Sequence, residues 1–134
     1  MSEGTSRTIR FVRAHVDPLP DGRCQALVQV ERVRLGPTTG TAQGGSEPTD
    51  ALRAVARAAA DALSEAYDAE GVKIRIRGVQ QLEAFGQIVV IASLAATRGT
   101  LTRSLLGICD GTDDPARATA LAVLNGTNRF LGLE

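Results

Sequence analysis

The stretch Gly40-Thr41-Ala42-Gln43-Gly44-Gly45-Ser46-Glu47-Pro48-Thr49-Asp50-Ala51 returns 67 positions later as Gly107-Ile108-Cys109-Asp110-Gly111-Thr112-Asp113-Asp114-Pro115-Ala116-Arg117-Ala118. Two glycines, an acidic residue, a proline and an alanine keep their places. Upstream, Ile9-Arg10-Phe11 is echoed by Ile74-Arg75-Ile76, 65 positions on. In both halves three strand-like runs precede one helix-like run, which is the signature of an internal repeat. The expected fold is α+β: two tandem βββα units, residues 8–70 and 72–132, forming a mainly antiparallel sheet with both helices packed on one face. A single domain, 8–134, would follow a polar and disordered 1–7.

Local signals fill in this frame. Thr8–Val16 alternates loosely, and Pro18-Leu19-Pro20-Asp21-Gly22 is a turn, since proline presets φ and glycine admits positive φ. Cys24–Val33 alternates apolar Cys24, Ala26, Val28 and Val30 with polar neighbours, as a half-buried strand does. Leu35–Gln43 is a weaker third strand. Pro48 to about Asp68 predicts a helix, with Ser46 as N-cap and Gly71 as terminator. The second half predicts strands over Val72–Gln81, Ile88–Ala96 and Leu101–Asp110. A helix capped by Asp114 follows, running to about Leu131.

The 134 residues carry 15 basic and 15 acidic side chains, so no net field recruits a polyanion. Lys73, Arg75 and Arg77, with Arg10, Arg13, Arg32, Arg34, Arg98 and Arg103, form a basic stripe, but no aromatic platform accompanies it. A solvated or ion-paired face is expected, and nucleic acid is not an expected partner. The longest apolar stretch, Ile88–Ala96, is about half the ~20 residues a spanning helix needs, so no membrane association is expected. Cys24 and Cys109 form no CxxC pair, and the polar start reads as lacking a signal peptide, which together suggest reduced thiols and a cytoplasmic location.

Ile88-Val89-Val90-Ile91-Ala92 is apolar at successive positions, although a sheet with helices on one side should wet the other. Either loops shade that outer face or a second copy of the chain covers it; a homodimer is the expectation.

No cofactor, metal or catalytic residue is expected. His15 is the only histidine, and neither it nor the separated cysteines make a zinc set. Asp110-Gly111-Thr112-Asp113-Asp114 lacks the alternating ligands and closing glutamate of a calcium loop. The candidate ligand-binding residues are Gly44, Gly45 and Ser46, with Gly111 and Thr112, because unpaired N–H groups at a helix N-terminus welcome a carboxylate. Chain turning and capping explain the same residues without a ligand. Asn125 and Asn128 weaken a helix intrinsically, and either bond across a packing interface or line a groove.

The lead-in Gly44-Gly45-Ser46-Glu47-Pro48-Thr49-Asp50-Ala51 and the ending Ala118…Ala122-Val123-Leu124-Asn125…Asn128-Arg129 resemble the regulatory domain of 2-isopropylmalate synthase and citramalate synthase. That domain has a Gly-x-Gly-Pro-Val-Asp-Ala lead-in and a small-residue last helix of Ala-x-x-x-Ala-Leu-Asn type. The resemblance covers about 9–132. It implies two βββα units, dimerisation and an amino-acid effector near the unit interface. Two departures stand out: Ser46-Glu47-Pro48-Thr49 separates the glycines from Asp50-Ala51, and no catalytic barrel is present. The expected function is a non-enzymatic, stand-alone regulatory module binding a small amino or keto acid. The alternative is a structural or protein-interaction subunit with no small ligand.

Overall fold

A computed structural model describes residues 9–131; the expectations for 1–8 and 132–134 lie outside that range. The order is β1 (Ile9–Pro18), β2 (Cys24–Arg32), β3 (Gly36–Gly44), α1 (Pro48–Ala66), β4 (Val72–Ala84), β5 (Gln87–Arg98), β6 (Leu101–Asp110) and α2 (Pro115–Thr127), with a 3-10 turn at Asp68–Glu70 after α1. The α+β class and the two βββα units hold. The strands make two antiparallel three-stranded sheets, β1-β2-β3 and β4-β5-β6, rather than one common layer.

The helices explain why. α1 packs on β3 and β2 of its own sheet and also on β4 of the other; α2 packs on β6 and β5 and also on β1; and the two helices touch. An amphipathic helix on one sheet needs a single apolar stripe. α1 instead buries Leu52, Val55, Ala56, Ala59 and Leu63 together with Ala54, Ala58 and Ala62, so more than one side is covered. Alanine permits this by letting backbones approach on several sides.

Glycine sets the closest approach. A Cβ on Gly40 would collide with the Ala58 carbonyl oxygen, and one on Gly107 would collide with that of Ala122. Ala58 and Ala122 are 64 positions apart, as are Ala54 and Ala118, which lie against Gly44 and Gly111. The helices therefore correspond at 64, whereas the glycines that meet them correspond at 67. α1 carries about one extra turn at its start. Shifted by 64, its buried set from Ala54 to Leu63 falls on the buried set of α2, Ala118 to Thr127.

The strands agree with the duplication. β1 slips register between Phe11 and Arg13, leaving Val12 unpaired, and β4 slips between Ile76 and Gly78, leaving Arg77 unpaired, 65 positions on. Each bulge reverses the side-chain alternation, turning Ala14 and Val16 inward with Ile9 and Phe11. That is why the first strand alternates only loosely in sequence.

Some boundaries differ from expectation, and β4 runs to Ala84 rather than Gln81. Glu47, not Ser46, is the N-cap of α1, because Pro48 takes the first helical position. α2 ends at Thr127, short of Leu131. Asp114 caps α2, its carboxylate accepting from the Arg117 N–H at 3.0 Å.

On β5, Val90, Ala92, Leu94 and Ala96 are buried, while Val89 and Ile91 are half-buried on the opposite face. Ile91 pairs with Ile108, and Leu106 pairs with Ser93 beside it. Leu106 and Ile108 are 68% and 55% exposed, so this outer face stays open in the single chain. The corresponding face of the first sheet is polar around a half-buried Leu27, with His15, Gln25, Gln29, Thr39 and Thr41.

Candidate functional site

The glycine-led helix starts are filled by the chain itself. Gly44 is buried at the end of β3, against the Asp50 carbonyl and Ala54, and Gly45 faces the Asp50 carboxylate. That carboxylate accepts the Glu47 N–H at 3.2 Å, and Ser46 is exposed just before the cap. At α2, Gly111 donates its N–H to the Ile88 carbonyl at 2.7 Å. The Thr112 hydroxyl accepts from the Ile88 N–H and donates to Asp110 at 2.7 Å. Hydrogen bonds from Thr112 hold the Asp110 carboxyl below its ordinary range. Protein carboxylates thus stand where an incoming carboxylate would bind.

Asn125 Nδ2 donates to the Ile108 carbonyl at 3.1 Å, tying α2 to β6, and Asn128 follows the last helical turn. Gly126 lets α2 approach β6: a Cβ there would stand 3.0 Å from the Gly107 nitrogen. The seven sequence candidates lie at three separate places, and none lines the groove described next.

That groove, a cavity of about 560 Å³, lies where the two units meet. Ile9, Arg10 and Phe11 of β1 form one side. The end of β2 and its turn, Glu31 to Arg34, form another, and Arg117 and Leu121 of α2 complete it. Four of the nine lining residues are arginine and one is glutamate, so the groove is cationic. Arg10 is ion-paired to Glu31. Arg32 is held by both Glu70 oxygens, at 3.0 and 2.5 Å, and by the Ala66 carbonyl at 2.9 Å. Arg117 lies over the Phe11 ring at 5.5 Å and makes no ion pair within 4 Å among the described residues. Arg34 likewise has no carboxylate partner there and is exposed in the turn after β2, at φ 73°. Ile9, Phe11, Val33 and Leu121 supply apolar wall. The groove can therefore hold a small anion with an aliphatic body: two guanidiniums for charge, hydrocarbon for the rest.

A smaller cleft of about 130 Å³ adjoins it, lined by Cys109, Asp110, Asp113, Asp114 and Arg117. Burial pushes the Cys109 thiol up, toward its un-ionised and less nucleophilic form. His15 stands exposed on the first sheet, 3.6 Å from Asp17 and opposite Leu27, and lines neither cavity. Among the described residues no group of three or more His, Cys, Asp and Glu could hold a metal ion, and no helix is long and apolar enough to cross a membrane.

The sequence places Arg10, Arg32 and Arg34 in its basic stripe, but Arg117 joins them only through the packing of α2 on β1, which is why the groove was missed. No family model matches the chain, and no curated protein does either.

Proposed function

We propose that this chain is a non-enzymatic binding module for a small aliphatic carboxylate, an amino or keto acid, acting in the cytoplasm in the manner of the 2-isopropylmalate synthase regulatory domain. The observation that carries the reading is the groove between units, where Arg34 and Arg117 lack carboxylate partners among the described residues, beside Ile9, Phe11, Val33 and Leu121. A carboxylate there replaces water around two guanidiniums, and burial of a short branched tail adds about 0.8 kcal/mol per methylene. The glycine-led helix starts support the groove by fixing helix against sheet and are not its ligands.

The test is a thermal-shift screen of short-chain amino and keto acids, followed by amide chemical-shift mapping with 3-methyl-2-oxobutanoate. Shifts at Ile9–Phe11 and Val33–Arg34 are expected, with about tenfold weaker binding for each of Arg34→Ala and Arg117→Ala. A flat response across the panel refutes the proposal.

A second reading, a protein-interaction subunit, is favoured by the open apolar face carrying Leu106 and Ile108. Its occupant is a second copy of the chain. Such a homodimer is compatible with ligand binding, since the groove and that face share no residue.

A further inference from the structure

Each sheet ends in two edge strands, and among the described residues three of those edges are blunted by the chain itself. β1 bulges at Val12, against α2. β3 carries Pro37, which has no N–H to offer, and its Gln43 carbonyl accepts from Arg57 at 2.8 Å. β4 bulges at Arg77, and the Ser64 hydroxyl accepts the Ile74 N–H at 2.9 Å. β6 differs: Leu101–Asp110 holds no proline, and its ladder to β5 runs without a break. At the 67-residue offset, Ser104 stands where β3 has Pro37. Prolines and bulges keep foreign strands off a sheet edge, and without them the edge is a template for pairing.

The ladder identifies the open groups. Arg98 and Leu101 close the two-residue Gly99-Thr100 hairpin as a hydrogen-bonded pair, so every second residue from Leu101 bonds to β5. The N–H and C=O of Thr102, Ser104, Leu106 and Ile108 point away from the sheet. Asn125 of α2, donating to the Ile108 carbonyl at 3.1 Å, confirms that direction and closes the edge there. Thr102, Ser104 and Leu106 remain, all exposed. Their surroundings are cationic. Arg77 reaches across β5 to donate to the Ser104 hydroxyl at 3.1 Å. Arg75 lies in the same cross-strand row, through Ala95, and Lys73 in the next, through Thr97 to Thr102. Arg103 is exposed on the opposite face. The one carboxylate of the strand, Asp110, lies beyond the closed end and is held by Thr112. Toward that end the side chains turn apolar, at Leu106 and Ile108.

We infer that the β6 edge takes an extended acidic and aliphatic segment of a partner protein as an antiparallel fourth strand of the second sheet. Its main chain pairs with Thr102, Ser104 and Leu106, its carboxylates stand beside Arg77 and Arg103, and its aliphatic side chains lie beside Leu106 and Ile108. A second copy of β6 fits worse, because antiparallel pairing centred on Ser104 brings the Arg77 and Arg103 clusters of both chains together with no carboxylate between them. The inference goes beyond the proposed function and needs neither the groove nor its ligand.

The probe is the end-blocked peptide Ile-Thr-Val-Thr-Glu-Glu-Thr, titrated into the intact chain and followed by amide chemical shifts and hydrogen exchange. Shifts are expected at Thr102–Leu106, with slowed exchange of the Thr102, Ser104 and Leu106 N–H groups and no change at Ile9–Phe11. Replacing both glutamates of the peptide by lysine weakens binding about tenfold or more. N-methylation of its first glutamate, opposite Ser104, abolishes binding. Ser104→Pro, which installs the block that β3 already carries, also abolishes it, whereas Ser104→Ala keeps the N–H and retains it. The ladder to β5 does not use that N–H, so both variants keep the parent's circular dichroism. Absence of shifts at about 1 mM peptide, or undiminished binding of the N-methylated peptide, overturns the inference. Equal binding of the lysine peptide overturns the acidic partner. Exchange at the three amides that slows with protein concentration before any peptide is added also overturns it, since a second copy then fills the edge.

Discussion

The carbonyl oxygen of Ala122 occupies the space into which a side chain on Gly107 would project, and Ala58 does the same to Gly40 in the first unit. Backbone of strand and backbone of helix touch at these points, with no flexible side chain between them to yield. Gly107→Ala and Gly40→Ala should each destabilise the chain by about 3 kcal/mol or more, as overpacking against fixed backbone does. Gly78 is the control: a Cβ there meets nothing within 4 Å and its φ is not positive. Gly78→Ala should stay within about 0.5 kcal/mol of the parent. Urea unfolding measures all three.

These contacts also show why the repeat was legible and its register was not. Gly40 and Gly107 recur because each strand needs the same bare position under its helix, so the glycine spacing survives in the sequence. The extra turn at the start of α1 leaves Pro48 and Pro115 aligned at 67 while sliding everything after them to 64. Alanine-rich helices hide such a slip, since nearly any offset matches alanine to alanine. The Glu47 cap was readable from Pro48 at the first helical position. The bulge at Val12 was not, because a bulge in sequence looks like poor alternation. The cationic groove was illegible for a different reason: Arg34 and Arg117 are 83 positions apart, and only the cross-unit contact of β1 with α2 makes them neighbours.

Arg32 joins β2 to the end of α1, and its bond to Glu70 holds that carboxyl below the ordinary range. A carboxylate depressed in the folded state contributes stability above its unfolded pKa, and that contribution is lost as pH falls through the folded value. The urea midpoint should therefore fall between about pH 5 and pH 3 in the parent, with a shallower fall in Glu70→Gln. Salt should diminish the difference, because Glu70 is exposed to screening. Arg32→Ala should be more damaging than Glu70→Gln by about 1–2 kcal/mol, since it also removes the bond to the Ala66 carbonyl and the contact with the Tyr67 ring at 3.9 Å.

Phe85 tips the β4–β5 hairpin at φ 56°, followed by Gly86 at 76°, between the paired Ala84 and Gln87. Two successive positive φ angles make this a type I′ turn, whose first position suits asparagine and strains a bulky side chain. The ring is fully exposed, so it gains no packing in return. Phe85→Asn should raise stability by about 1 kcal/mol, read from the denaturation midpoint at unchanged urea dependence. A loss of stability instead would mean that the ring is buried by a partner copy under the conditions of the measurement.

Leu106 and Ile108 project from β6 beside Ile91 and Val89, with Leu82 completing the patch on β4. Together they expose on the order of several hundred Å² of apolar surface, at the upper end of what a monomer leaves uncovered. A stable interface buries about 800 Å² per partner, so stacking this face on its twofold copy, with the polar strand ends as rim, comes near that area. The first sheet offers no equivalent, since its outer face is polar. Equilibrium sedimentation should give twice the 14.0 kDa chain mass, falling to a single chain in Leu106→Arg and Ile108→Arg, with circular dichroism unchanged. A parent that sediments as one chain at about 100 μM, a concentration at which an interface of this size should assemble, rules out the twofold. Variants that remain dimeric move the contact to another face.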